Sequence, residues 1–217
     1  IWFAMPTTET GHSAGVWTIA PPTGTSPAIS TTMTIDATTQ PGWTSTPVVS
    51  YNAAGLSSGP AVSITGSGVV LKGLNVRGSP GAGISVSGAS ATISYCFIGT
   101  NAAGTAASAN VTQGVIASGA DLALDHNLIS GNGDDGVWLD TGADRAILTD
   151  NYIGTTVTGN AALANTQEGV ELIGVANVVI GTSGHGNVIS GNGYAGVNGF
   201  LNGSTGTKIQ GNKIGVG

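Results

Sequence analysis

The sequence predicts an all-β solenoid, a parallel β-helix of about seven or eight coils. Three observations carry that reading. Short motifs recur: Asn187-Val-Ile-Ser-Gly-Asn192 repeats Asn127-Leu-Ile-Ser-Gly-Asn132, and Asn151-Tyr-Ile-Gly154 returns as Asn212-Lys-Ile-Gly215. Apolar residues alternate with a period of two, the period of a strand. Gly interrupts every apolar segment before a helix could form.

Composition agrees. Gly supplies 37 of 217 residues, where about 7% is average. Charged residues are only 7%, where about 25% is usual. A hydrophobic fraction of 40% at regular positions suffices for a continuous core and argues against disorder. Gly shows no period of three, so a collagen helix is excluded.

Two registers define the repeat. In the first, a Gly opens an alternating segment: Gly83-Ile-Ser-Val86, Gly114-Val-Ile-Ala117, Gly136-Val-Trp-Leu139, Gly169-Val-Glu-Leu172 and Gly196-Val-Asn-Gly199. The steps are 31, 22, 33 and 27 residues, within the range of solenoid repeats. Ile84, Val115, Val137, Val170 and Val197 then face inward, and Ser85, Ile116, Trp138, Glu171 and Asn198 face outward.

The second register places Leu74, Cys96, Asn127, Asn151 and Asn212 midway between apolar residues. Asn187 joins this column despite an insertion at 181–186. An amide both donates and accepts, so Asn127, Asn151, Asn187 and Asn212 are expected to stack as a ladder. A tolerance of Asn for left-handed backbone suits it to the bend. Cys96, in the same inward column, is expected to be a buried and unreactive thiol.

The segments 99–110 and 154–165 match each other, and are expected to be loops projecting from one edge. Residues 1–60 are less regular, and are expected to form a cap and the first irregular coils. Trp2, Phe3, Trp17 and Trp43 would supply an aromatic cover there. Residues 61–217 would be the regular coils of one continuous domain. Both ends read as cut from something longer, since Ile1-Trp-Phe3 enters mid-strand and Ile214-Gly-Val-Gly217 stops just after a repeat. An uncapped last coil implies a capacity for end-to-end self-association.

The chain carries a net charge of −6 and five basic residues. That excludes the basic stripe needed to grip nucleic acid. No apolar run reaches the roughly 18 residues of a membrane span, so no membrane insertion is expected. One Cys excludes an internal disulfide.

Nine of the eleven acidic residues fall between 121 and 171. Asp135 and Glu168 both precede a strand Gly, so they should stack one coil apart. With Asp134 they could serve as acid and base, or Asp135 and Glu168 could hold Ca²⁺. The plainer alternative is a solvated acidic band, with Arg145 neutralising Asp144 or Asp150. Trp138, flanked by Ile116 and Glu171 with Asp140 two positions along, suits a glycan-binding platform. Its alternative is packing under a loop. His12 and His126 read as isolated, and His185 as part of a flexible Gly-rich loop.

Met33-Thr-Ile-Asp-Ala-Thr-Thr-Gln-Pro-Gly-Trp43, the Asn-x-Ile-Gly-Thr loops and Asn187-Val-Ile-Ser-Gly-Asn192 resemble the right-handed parallel β-helix segments of large bacterial secreted and surface proteins. The resemblance implies the handedness, a fold like that of pectate lyases, adhesins and phage tailspikes, and a secreted or cell-surface location. It carries no reaction. Gly133-Asp-Asp-Gly136 and Gly184-His-Gly186 resemble polygalacturonase motifs. The companion Asn-Thr-Asp and Arg-Ile-Lys elements are missing, and the Asp pair lies about two coils from His185. The epimerase Asp-Pro-His-Glu and the Gly-Gly-x-Gly-x-Asp nonapeptide are also missing. Three functions remain open: an adhesive or glycan-facing stalk, a structural spacer, and a polysaccharide lyase or glycosidase on the acidic face.

Overall fold

The structure, a computed structural model, describes residues 1–26, 28–199 and 203–215. Its strands wind into three sheets of nine, seven and seven strands, parallel throughout except for a hairpin between His12–Ser13 and Val16–Ile19. Each coil contributes one strand to each sheet in turn. One middle coil shows the pattern: Leu128–Ile129 lies in the first sheet, Val137–Leu139 in the second and Ile147–Thr149 in the third. Among the described residues seven coils give a strand to each sheet, and Lys213–Ile214 begins an eighth.

The expected Gly register is the second sheet, paired as Ile84↔Val115↔Val137↔Val170↔Val197. The other register spans two strands, with the expected bend between them. Leu124 belongs to the third sheet and Ile129 to the first, with Asn127 at the corner between them. Inward positions run Leu122, Leu124, Asn127, Ile129, so the step of three residues marks the bend.

The interior is a stack of aliphatic side chains from all three sheets. Val137, Leu139, Leu148 and Ile153 are fully buried, as are their counterparts in neighbouring coils. Each side chain sits on a like one about 4.8 Å away, the spacing of paired strands. At the last coil, Ile209 and Ile214 occupy inward columns but are 49% and 42% exposed. Val216 and Gly217, part of the expected unfinished coil, lie outside the described residues.

The Asn ladder is present and buried. Asn127, Asn151 and Asn187 each donate from Nδ2 to the Oδ1 of the next Asn in the column, at 3.0, 2.8 and 2.8 Å. The backbone N–H of each donates to the same oxygen. The second Nδ2 hydrogen goes to a strand carbonyl, such as Leu124 O for Asn151. Cys96 heads the column, its N–H donating to Asn127 Oδ1 at 2.9 Å. Burial of the Cys96 thiol pushes its pKa up to about 12, which makes it unreactive.

The left-handed residue at these corners is not the Asn but the one before it: Tyr95, His126 and Asp150, with φ of 55°, 55° and 54°. The ladder residue turns inward, and its neighbour absorbs the bend.

The four aromatic residues expected to cap the first coil do not gather. Trp2 is 81% exposed, and Trp17 is buried against His12 with ring centroids 4.3 Å apart. Trp43 meets Tyr95 edge-on at 6.1 Å. Phe3 alone packs against the core. The first coil instead carries an apolar cavity of about 350 Å³ lined by Ile1, Phe3, Ile19, Ile29 and Ile35, among others.

The two matched loops are hairpins, closed by the bridges Thr100↔Ala107 and Thr155↔Ala162. They fold back on the outer face of the first sheet instead of projecting from an edge. There they cover Phe97 and Leu128, which are buried although they face away from the main core.

Candidate functional site

The second sheet presents the outward row that its register predicts. Ser85, Ile116, Trp138, Glu171 and Asn198 pair in sequence across five coils. Val137 and Leu139 are buried while Trp138 between them is half-buried. The Trp138 indole N–H is covered and has no hydrogen-bond partner among the described residues.

The carboxylates gather where the chain enters this sheet. Asp135 is 1% exposed, and its Oδ1 accepts the backbone N–H of Glu168 at 3.0 Å. Asp135, Glu168 and Glu171 each offer an oxygen within 4.8 Å of the others. Asp134 is tied to the coil below, accepting from Gln113 Nε2 at 2.7 Å. The expected stack of Asp135 and Glu168 is therefore observed.

Asp140 stands apart. It caps the following turn, its Oδ1 accepting from Thr141 N at 2.7 Å. Arg145 pairs with neither Asp144 nor Asp150. Its guanidinium grips Asp121 in two-pronged fashion, at 2.7 and 2.8 Å. The cause is the column: Asp121 and Arg145 are both left-handed corner residues at the same position of successive coils. Asp144 instead accepts the N–H of Ala176.

Electrostatics follow from this crowding. Burial, above all, pushes the Asp135 carboxyl up to about 7; the charges of Asp134 and Glu171 add to the rise, and the Glu168 N–H opposes it. Burial and then the charge of Glu168 raise Asp134. Glu171 is raised by burial, then by Glu168 and Asp134. Asp135 thus keeps its proton to near neutrality, yet its burial keeps it from any substrate. Glu168 and Glu171 are the half-buried members that a ligand could touch. Three carboxylates here supply part of the six to eight oxygens Ca²⁺ takes, the rest being left to backbone carbonyls or water.

A second amide column, not foreseen, runs beside this site. Asn110, Asn132 and Asn165 each donate from Nδ2 to the Oδ1 of the next, ending at Asn192, at 3.0, 2.8 and 2.9 Å. It explains the strand Gly. A Cβ on Gly136 would lie 2.8 Å from Asn165 Nδ2 and 2.7 Å from Gly169 O, and Gly83, Gly114 and Gly169 are equally hemmed in. The signal was present in the sequence: both copies of the six-residue repeat end in Asn, and both matched loops end in Asn.

The family described as "Right handed beta helix region" matches residues 45–214. The chain belongs to the right-handed β-helix family. No curated protein and no solved structure matches it. Two cavities of this β-helix lie off the acidic face. One of about 380 Å³ opens beside Tyr152, Val188 and Lys213, and one of about 230 Å³ beside Tyr95, His126 and Asp150. The candidate surface on the second sheet is a flat strand face with an acidic margin. Among the described residues, no helix is long and apolar enough to cross a membrane.

Proposed function

We propose that this β-helix is a non-catalytic scaffold of a secreted or cell-surface bacterial protein, and that its second-sheet face holds a neutral glycan. The observation that carries the reading is the in-register row Ile116–Trp138–Glu171–Asn198. A stacked row one strand spacing apart suits a linear polymer better than a single small molecule. The ring of Trp138 offers an apolar surface for a sugar face. The carboxylates accept hydrogen bonds from hydroxyls, and their charge opposes acidic polymers such as polygalacturonate or alginate.

One observation favours a second reading. A carboxyl held near pH 7 beside Glu168 resembles the tuned acid of a glycosidase or lyase. The burial of Asp135 weighs against it, because a general acid must reach the oxygen it protonates.

A polysaccharide panel assayed for both binding and released reducing or unsaturated ends separates these readings. Saturable binding to a neutral glycan without released ends, weakened at least tenfold by Trp138→Ala, is the expected result. Cleavage that disappears in Asp135→Asn would establish the enzyme instead. No binding to any glycan would leave a structural spacer and reject the glycan face.

A further inference from the structure

The chain has three histidines, and two of them meet at one carboxylate on the corner between the third and first sheets. His126 and Asp150 are successive left-handed corner residues, so the coil stacks them directly. His185 reaches the same place from the insertion of the following coil. Asp125 precedes His126. Residues from three consecutive coils therefore converge on this corner.

The hydrogen bonds decide what is missing. Asp125 Oδ2 lies 2.9 Å from His126 Nδ1, and its Oδ1 accepts from Thr149 Oγ1 at 2.7 Å. An aspartate only accepts, so in a neutral His126 the proton sits on Nδ1 and Nε2 keeps its lone pair. Tyr95 stacks on the imidazole at 4.9 Å and holds the ring in that orientation. The Nε2 lone pair then faces Asp150 Oδ2 at 3.9 Å. Two electron-rich atoms confront each other at a distance too long for a hydrogen bond. His185 Nδ1 stands 2.9 Å from that same oxygen.

A proton on Nε2 or a metal ion between the two atoms resolves this confrontation, and the second imidazole, His185, on the same Asp150 oxygen points to the metal. Zn–N and Zn–O bonds of about 2.0–2.2 Å can bridge atoms separated by 3.9 Å. We propose that this corner is a binding site for a first-row divalent metal ion of the Zn²⁺ type, ligated by His126 Nε2, an oxygen of Asp150 and the exposed ring of His185. Asp125 acts from behind, fixing the His126 tautomer as carboxylates behind metal-binding histidines do. Two carboxylates balance the charge of the ion. Two imidazoles favour a borderline-soft ion over Ca²⁺ or Mg²⁺, which take oxygen ligands. His185 sits between Gly184 and Gly186, with a side chain 66% exposed, so it is free to turn onto the ion. The remaining coordination positions open toward the cleft of about 230 Å³ that His126 and Asp150 line with Tyr95 and Tyr152, where a small oxygen-donor ligand could complete the shell. The ion would also clamp three coils together.

Calorimetric titration of the intact chain with ZnCl2 at pH 7.5, beside CaCl2 and MgCl2, tests the site. One saturable equivalent of Zn²⁺ is expected, with a rise in Tm and with neither Ca²⁺ nor Mg²⁺ competing. His185→Ala should weaken binding at least tenfold and Asp125→Asn by roughly 10–100-fold. His126→Asn should abolish it; Asn tolerates the left-handed backbone there, so a native circular dichroism spectrum is expected. If His126→Asn does not fold, the exposed His185→Ala variant decides. The site is rejected by absence of saturable Zn²⁺ binding, by Zn²⁺ affinity unchanged in a folded His126→Asn or His185→Ala variant, or by equal affinity for Ca²⁺.

Discussion

Two corners of the same coil stack polar side chains, and they behave in opposite ways. Between the third and first sheets, Asn127, Asn151, Asn187 and Asn212 form a column in which every amide both gives and receives. At the entry to the second sheet Asp135 and Glu168 also stack, with the Glu168 N–H on Asp135 Oδ1, but carboxylates only accept. The amide column closes on itself. The carboxylate pair is completed only by a proton, and burial among like charges pushes Asp135 up to about 7. A solenoid repeats whatever chemistry occupies a column. A self-complementary residue becomes structure, and an incomplete one becomes a site with an unmet demand. The His126–Asp150 corner follows the same rule, since stacking sets an imidazole nitrogen against a carboxylate.

The largest expected effect comes from the aliphatic core on which both columns rest. Ile153→Ala removes a fully buried core side chain and should cost about 2–5 kcal/mol in urea unfolding. Cys96→Ala, also buried, removes a single sulfur and should cost less than Ile153→Ala in the same titration. Asn151→Ala orphans Asn127 N and Leu124 O, both bonded to it in the wild type, and should cost about 1–3 kcal/mol. Asn165→Ala should cost a similar amount, because its column is equally buried. Asn212→Ala should cost less than Asn151→Ala, since the residue is only half-buried. Equal midpoints for Asn151→Ala and wild type would remove the ladder from the account.

Much of this was legible in the sequence. Period-two alternation and repeat spacing identify the solenoid and the inward columns, and the Asn127–Asn212 ladder is visible as four amides at matching positions. The stack of Asp135 on Glu168 follows from the position before the strand Gly. Other features escaped for physical reasons. The left-handed residue before each ladder position has no shared signature, since Tyr95, His126 and Asp150 differ in size and chemistry. Asn110 and Asn165 end loops, where Asn is an ordinary turn former, and only their alignment with Asn132 and Asn192 exposes the second ladder. Arg145 meets Asp121, and His126 meets Asp150, across coils of 24 residues. Such pairs depend on register, and loops of unequal length obscure it.

The most direct test of the difference between amide and carboxylate columns is the pH dependence of Asp135→Asn. In the wild type, the folded chain keeps a proton on Asp135 up to about pH 7, whereas an unfolded Asp releases it near pH 3.9. The folded state therefore binds more protons across this window, and stability falls as pH rises from about 4 to about 7. Asn keeps an oxygen for the Glu168 N–H and cannot ionise, so that loss should vanish. Melting temperatures of both proteins at pH 5 and pH 8 read the effect. The expected result is a gap in favour of Asp135→Asn that grows with pH, worth at least about 1 kcal/mol, or roughly 2–4 °C for a chain of this size. A gap independent of pH, or a variant less stable than wild type at pH 8, would contradict the account.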